Sequence, residues 1–389
     1  MASQYWIPPE VWTIIFQIVS EEDNVKDVRL TCKFFEELAT PFLLPRVICA
    51  PLSSSLATLT AVSRHPVFSR SVVEVVYVCN RYRFVKTLRE YKEALRRVSL
   101  FGKFEEPKSE EEDLDLKRAF SQYGQSYNDQ TTMENSGEVL ACLCSALMRM
   151  PHIETVIFSP NFDCYLDSHC YSRYFLEPDP AYNEAFLLVA RALSLTGTKI
   201  QYLNIERNDP GGDLVGVNGA LFRGMSDINL NHRCDAFRGL RNVTITADGD
   251  DIDGWMTGNL AKILSGATGL ERLCVYGCYL SFHISIKYIL STTAWSHLAS
   301  LDFTYANLDQ GEFLHLLIRH SGTLKDIDLF CVCLRNGSWK PLLEEVKSSL
   351  SLRHLSIDHP SEEDGEEIYL DQHALKNYLF GDGPHPLSE

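Results

Sequence analysis

The stretch Leu270-Glu271-Arg272-Leu273-Cys274-Val275-Tyr276-Gly277-Cys278-Tyr279-Leu280 places apolar residues at positions one, four, six and eleven, with a cysteine at nine. Leu273 and Val275 alternate with Arg272, Cys274 and Tyr276, the period of a short strand with one buried face. The pattern recurs at Leu298, Leu301, Phe303, Ala306 and Leu308, and again at Leu324, Ile327, Leu329, Val332 and Leu334. Leu352, Leu355 and Ile357 begin a further copy that stops at Pro360. Working towards the N-terminus, longer copies start at Leu240, Ile200, Ile153 and Val72. Three of these carry Asn at position nine: Asn80, Asn161 and Asn208. An inward-turned asparagine can satisfy backbone groups freed where a strand ends and the chain bends.

The last four copies start 28, 26 and 28 residues apart. That spacing falls in the range of roughly 20–29 residues typical of leucine-rich repeats. Between the strand motifs lie stretches with apolar stripes at three- and four-residue spacing: 138–150, 184–195, 259–264, 282–290, 310–320 and 340–349. Strand and helix alternating at a near-constant period predict an α/β solenoid with a parallel sheet and helices on its convex side. An ordinary doubly wound α/β domain is the competing architecture. It lacks a phosphate loop here, because Gly211-Gly212-x-x-x-Gly216 is neither a dinucleotide fingerprint nor a Walker loop. Segments 48–70 and 85–97 read as helices flanking the first motif. Segment 102–135 reads as an acidic loop holding one short helix at 114–120, and 208–233 as a glycine-rich excursion.

Composition narrows the function classes. Apolar residues make up 45% and charged residues 23% of the 389, which argues against disorder. The net charge is −16, of which residues 105–115 carry −6 and residues 361–389 carry −7. The acidity is thus two local runs, read as a solvated loop and an acidic C-terminal tail. No basic face is offered to phosphates, so nucleic acid is not an expected partner. The longest apolar runs, such as 185–190, are far short of a membrane span. The twelve cysteines show no Cys-x-x-Cys pair, and no secretory leader is legible. Reduced thiols and a cytoplasmic or nuclear location are expected.

Ile7-Pro8-Pro9-Glu10-Val11-Trp12 opens a helix that continues through Ile15, Ile18 and Val19; a second helical stretch runs over 27–39. Such a module carries more large apolar side chains than about forty residues can bury alone. These residues resemble an F-box. That family opens Leu-Pro-x-Glu-Ile/Leu and later shows Val-Cys-Lys-x-Trp/Phe. This chain has Ile7-Pro8-Pro9-Glu10-Val11 and Leu30-Thr31-Cys32-Lys33-Phe34-Phe35, with Ile7, Thr31 and Phe35 as the departures. The resemblance covers residues 7–45, and with Ala39-Thr40-Pro41-Phe42-Leu43-Leu44-Pro45 and the repeats that follow it is similar to many fungal F-box proteins. It implies a non-catalytic substrate receptor of a cullin–RING ubiquitin ligase, whose F-box docks on the ligase's small adaptor subunit. By motif position the adaptor-facing residues would be Ile7, Pro8, Val11, Ile15, Leu30, Cys32, Lys33 and Phe35. Domains are expected at 1–47, 48–360 and 361–389.

If motif positions four and six point inward, the alternate residues form a concave binding face. Tyr202, Glu206, Arg272, Tyr276, Asp302, Asp326, Asp328, Phe330 and Asp358 are the candidate substrate-binding residues. The aspartates suggest a basic segment of a protein substrate, although simple solvation of a strand face explains them equally. No cofactor or metal is expected. Cys331-x-Cys333 and Cys142-x-Cys144 lack companions at zinc spacing, and Cys164, His169 and Cys170 form only a loose group. Two other readings compete. One is a repeat scaffold unrelated to ubiquitin, whose N-terminal helices cap the solenoid and bury Ile7, Pro8, Val11 and Leu30. The other is a hydrolase or transferase using the glycine-rich loop 210–224, which would need a closed pocket with a perturbed His or Cys beside it.

Overall fold

A computed structural model of the chain describes residues 7–20, 25–98, 107–160, 179–206, 216–248, 251–277, 286–290, 294–363 and 367–387. Nine strands form one parallel sheet in strict chain order: β1 (Arg46–Cys49), β2 (Glu74–Val78), β3 (Thr155–Ser159), β4 (Tyr202–Ile205), β5 (Asn242–Ala247), β6 (Arg272–Gly277), β7 (Ser300–Thr304), β8 (Asp326–Phe330) and β9 (His354–Asp358). Val47, Val75, Val156, Leu203, Val243, Leu273, Leu301, Ile327 and Leu355 stand side by side across the whole sheet. All are buried. A one-residue slip in any strand would turn its apolar set to the other face, so burial holds the register. Each copy of the motif found in the sequence is one of these strands. β1 is an addition, missed because an apolar triplet ended by Ala50-Pro51 is too short to show a period.

The N-terminal module has three helices: α1 (Pro9–Ser20), α2 (Val25–Arg29) and α3 (Lys33–Ala39). The expected helix over 27–39 is broken at Leu30–Cys32, with Cys32 extended at the N-cap of α3. Trp12, Phe16 and Phe35 form an aromatic cluster with ring centroids 4.7–5.7 Å apart. Phe16, Val25 and Ala39 are buried within the module and belong to neither core of the repeat domain. The module ends in a 3-10 turn, Thr40–Phe42, and the chain enters β1 at Arg46. The expected boundary at 47/48 therefore falls inside the first strand.

The connections form α4 (Ser53–Arg64), α5 (Phe68–Ser71), α6 (Leu88–Val98), α7 (Glu110–Ser136), α8 (Glu138–Leu147), α9 (Tyr182–Thr196), α10 (Asp227–Phe237), α11 (Ile252–Trp255), α12 (Asn259–Ser265), α13 (Ile286–Ile289), α14 (Gln310–Arg319), α15 (Trp339–Ser349) and α16 (Gln372–Phe380). Leu59 of α4, Leu143 of α8, Phe186 of α9, Phe237 of α10, Ile263 of α12, Phe313 of α14 and Leu342 of α15 share one core with the inward strand residues. This is the helical side of the sheet. After β7, β8 and β9 the chain turns through Tyr305, Cys331 and His359, all left-handed at φ 53, 49 and 52°. Three non-glycine residues in that region at one repeat position mark an equivalent corner, beyond which short strands Asn307–Asp309, Cys333–Arg335 and Ser361–Glu362 form a second parallel ladder.

Three expectations are corrected. Residues 110–136 are one long helix and not a loop. Ser109 caps it by accepting from the Glu112 amide at 3.2 Å, the acids Glu110–Asp113 lie in its first turn, and Gly137 (φ 75°) closes it. Its buried residues are Leu116, Tyr123 and Gln130, one every two turns, a stripe too narrow to read as helical periodicity. The acidic tail is also structured: Asp371 caps α16, and Leu370 and Leu375 join the main core beside β9. Within the glycine-rich excursion, residues from 227 on belong to α10. Gly219, in the excursion, meets Gly254 backbone to backbone, since a Cβ on Gly254 would lie 1.9 Å from the Gly219 carbonyl oxygen. Residues 207–215, with Asn208, Gly211 and Gly212, lie outside the described residues, as do Asn161, Cys278 and Leu280.

A second, smaller core lies on the opposite face of the first strands. Ala50 and Val78 pack there with Tyr82, Tyr91 and Leu95 near and within α6 and Leu116 and Tyr123 of α7. Cys49 and Tyr77, the alternate residues, belong to the main core. Polar ties hold α7 in place: the Tyr82 amide donates to Gln130 Oε1 at 2.8 Å, and Arg81 pairs with Glu134 at 2.7 Å. The concave side is thus covered over β1 and β2.

Candidate functional site

The expected binding residues fall on two surfaces of the described residues. The first is on the N-terminal module. Ile7, Val11, Ile14 and Ile18, spaced by four, three and four residues, form a stripe on and just before α1 that is 38–59% exposed. Leu30 is 78% exposed and Phe34 is exposed on α3. Pro8, Cys32 and Lys33 are exposed as well. Ile15 and Phe35 are half-buried, and the Phe35 ring packs against Trp12 and Phe16. Ile14, Ile18 and Phe34 were not among the adaptor-facing residues expected from the motif. Their signal was present: α1 is apolar on two faces, and only one can turn inward.

The second surface is the concave face from β4 onward. The alternate residues fall in three rows across the strands. One row holds Tyr202, Asn242, Arg272, Ser300, Asp326 and His354; the next holds Asn204, Thr244, Cys274, Asp302, Asp328 and Ser356; the third includes Thr246, Tyr276, Thr304, Phe330 and Asp358. All nine expected residues lie on this face. Tyr202, Arg272 and Phe330 are exposed, and the six others are half-buried. Cys274, Ser300 and Thr304 are shaded and buried by their neighbours.

The acids differ in what surrounds them. Asp326 is bound in two bonds by Arg353, with Nε at 3.1 Å and Nη2 at 2.5 Å. Asp328 lies 2.9 Å from His354 Nε2, and Asp358 accepts from Ser356 at 3.1 Å and Gln372 at 3.0 Å. Among the described residues Asp302 receives two neutral donors, the Tyr276 hydroxyl at 3.2 Å and the Thr304 hydroxyl at 3.4 Å. Burial holds its carboxyl above the usual range, the neighbouring Asp328 adds to the rise, and the two hydroxyls and the Arg272 charge oppose it. Burial, with Asp302 beside it, pushes the Cys274 thiol up to about 11. Glu206, at the β4 end, accepts from the Ser159 hydroxyl. The expected acidic group is therefore assembled, but Asp326 already holds a cation from the chain itself.

Between Glu206 and Asp328 the face sinks into a concavity of about 400 Å³. Two further voids, of about 10 Å³ each, lie in the apolar core. Among the described residues no group of three His, Cys, Asp or Glu could hold a metal, and no helix is long and apolar enough to cross a membrane. Cys164, His169 and Cys170 lie outside the described residues. The described part of the glycine-rich loop is structural: the Val217 amide donates to the Thr246 carbonyl at 3.0 Å, extending the edge of β5.

No family model and no curated protein matches the chain. Among solved structures, the leucine-rich repeat-containing protein LegL7 from Legionella pneumophila aligns at 13% identity and a TM-score of 0.26, over 86% of this chain and 96% of that one. The repeat assignment accordingly rests on the continuous ladder and its register.

Proposed function

We propose that the chain is a non-catalytic adaptor of a cullin–RING ubiquitin ligase: the N-terminal module docks on the ligase's small adaptor subunit, and the open concave face holds a protein substrate. It acts by proximity, replacing a dilute encounter between a substrate lysine and a charged ubiquitin carrier with a tethered one. The observation that carries this reading is the exposed apolar stripe of α1 with Leu30 and Phe34, on a module that keeps a separate aromatic core of its own. A solenoid cap would turn Ile7, Val11 and Leu30 inward, so their exposure favours docking over capping. Within the module Trp12, Phe16 and Phe35 supply stability, while Ile7, Pro8, Val11 and Leu30 are the residues offered to the subunit.

The test is purification of the full chain from cells, with and without Ile18→Gln and Leu30→Gln. The small adaptor subunit is expected to accompany the unaltered chain and to be lost from the double variant. Its absence from the unaltered chain overturns the reading.

A further inference from the structure

Tyr276 of β6, Thr304 of β7 and Phe330 of β8 are register partners on three adjacent strands. The two aromatic positions stand two strand spacings apart, roughly 10 Å. The residue between them, Thr304, is small and lines the same concavity, which forms a gap over it. Two residues back on the same strands lie Asp302 and Asp328, and all five line the 400 Å³ concavity. Among the described residues no Lys or Arg lines it. Arg272 is on the row nearer the strand starts, and Arg353 is engaged by Asp326. Among the described residues, no Lys or Arg makes an ion pair with Asp302.

We propose that this gap is the seat for one basic side chain, Arg or Lys, of a protein partner, its charge on the Asp302 carboxylate and its stem between Tyr276 and Phe330. Aromatic faces attract a desolvated cation, and a half-buried carboxylate supplies the countercharge. The Tyr276 hydroxyl donates to Asp302, so its ring already leans toward the carboxylate that the cation would meet. Occupation would add a direct ion pair to Asp302, which feels Arg272 of the chain only through space. The proposal rests on reading the open concave face as the partner surface. It does not depend on docking of the N-terminal module, so failure of one leaves the other standing.

The experiment titrates the full chain with the peptide acetyl-Gly-Gly-Arg-Gly-Gly-amide, its Lys counterpart, and its neutral citrulline counterpart. At least one basic peptide is expected to bind ten-fold or more tightly than the citrulline peptide. Asp302→Asn and Phe330→Ala should each weaken that binding at least five-fold, whereas Glu345→Gln, the same charge change on exposed α15, should leave it unchanged. Equal binding of basic and neutral peptides, no binding at millimolar concentration, or an equal loss from Glu345→Gln overturns the proposal. Spermidine binding more tightly than either basic peptide overturns the assignment to a protein side chain. The peptide comparison on the unaltered chain decides the matter even if a variant fails to fold.

Discussion

Replacing Ile18 and Leu30 together by Gln separates the stability of the N-terminal module from its stickiness. Fully burying a Leu or Ile side chain contributes about 1.5–3 kcal/mol. Leu30 keeps 78% and Ile18 59% of its surface in water, so the fold draws only the remainder from each. Glutamine retains two methylenes and a helix propensity close to that of leucine. The double variant should therefore lose less than about 1 kcal/mol in urea denaturation of the full chain. Phe16→Ala, at a site only 2% exposed, should cost about 3–5 kcal/mol by removing a packed ring. If a partner buries the stripe, the exposed portions represent about 3 kcal/mol of docking energy, or about a hundred-fold in Kd. The assay pairs denaturation curves with titration of the purified ligase adaptor subunit. A double variant as unstable as Phe16→Ala would mean that the stripe is buried within the chain. A double variant that keeps its affinity would mean that it is not the docking surface.

Asn80→Ala should destabilise the chain by about 1–3 kcal/mol in urea, because the buried amide donates to the Pro160 carbonyl across the sheet; an unchanged midpoint would remove the role given to position nine of the repeat. Asp302 holds its proton more tightly in the folded state than in the unfolded chain, so its contribution is fully present below the ordinary carboxylate range and is lost as pH rises through the raised value. Asp302→Asn should thus improve stability at about pH 7 relative to about pH 4, compared with the unaltered chain, and equal shifts at both would contradict the burial of that carboxyl. In alkylation followed by mass spectrometry, exposed Cys32 should react first, while buried Cys49, Cys79 and Cys274 stay protected until the chain unfolds; rapid labelling of Cys274 would show that the floor of the concave face is open.

Asn80 and its neighbours illustrate what periodicity can and cannot show. Eight of the nine strands were legible, because a buried strand with period-two alternation imposes the same residue types wherever it recurs. The helices around Phe186, Phe313 and Leu342 were legible for the same reason at their own period. The long helix over 110–136 was not, since its contacts to the sheet fall only once every two turns and one of them is Gln130. The placement of all nine candidate residues on one face followed from alternation. Their inequality did not: Asp326 takes Arg353 from the bend just before β9, Phe35 turns into the module's own cluster, and Ile14 and Ile18 are left outside.

Local alternation, acting through a register that tolerates no slip, determined by itself that this chain coils into a parallel sheet with helices on one side. Which part of the other side stays open was decided only in three dimensions. Gln130 reaches the Tyr82 amide across 48 residues and Leu116 packs with Val78, so α7 covers the first strands and leaves the later ones bare. Such pairings join segments whose own sequences carry no shared period, and they form only once the sheet exists to be covered.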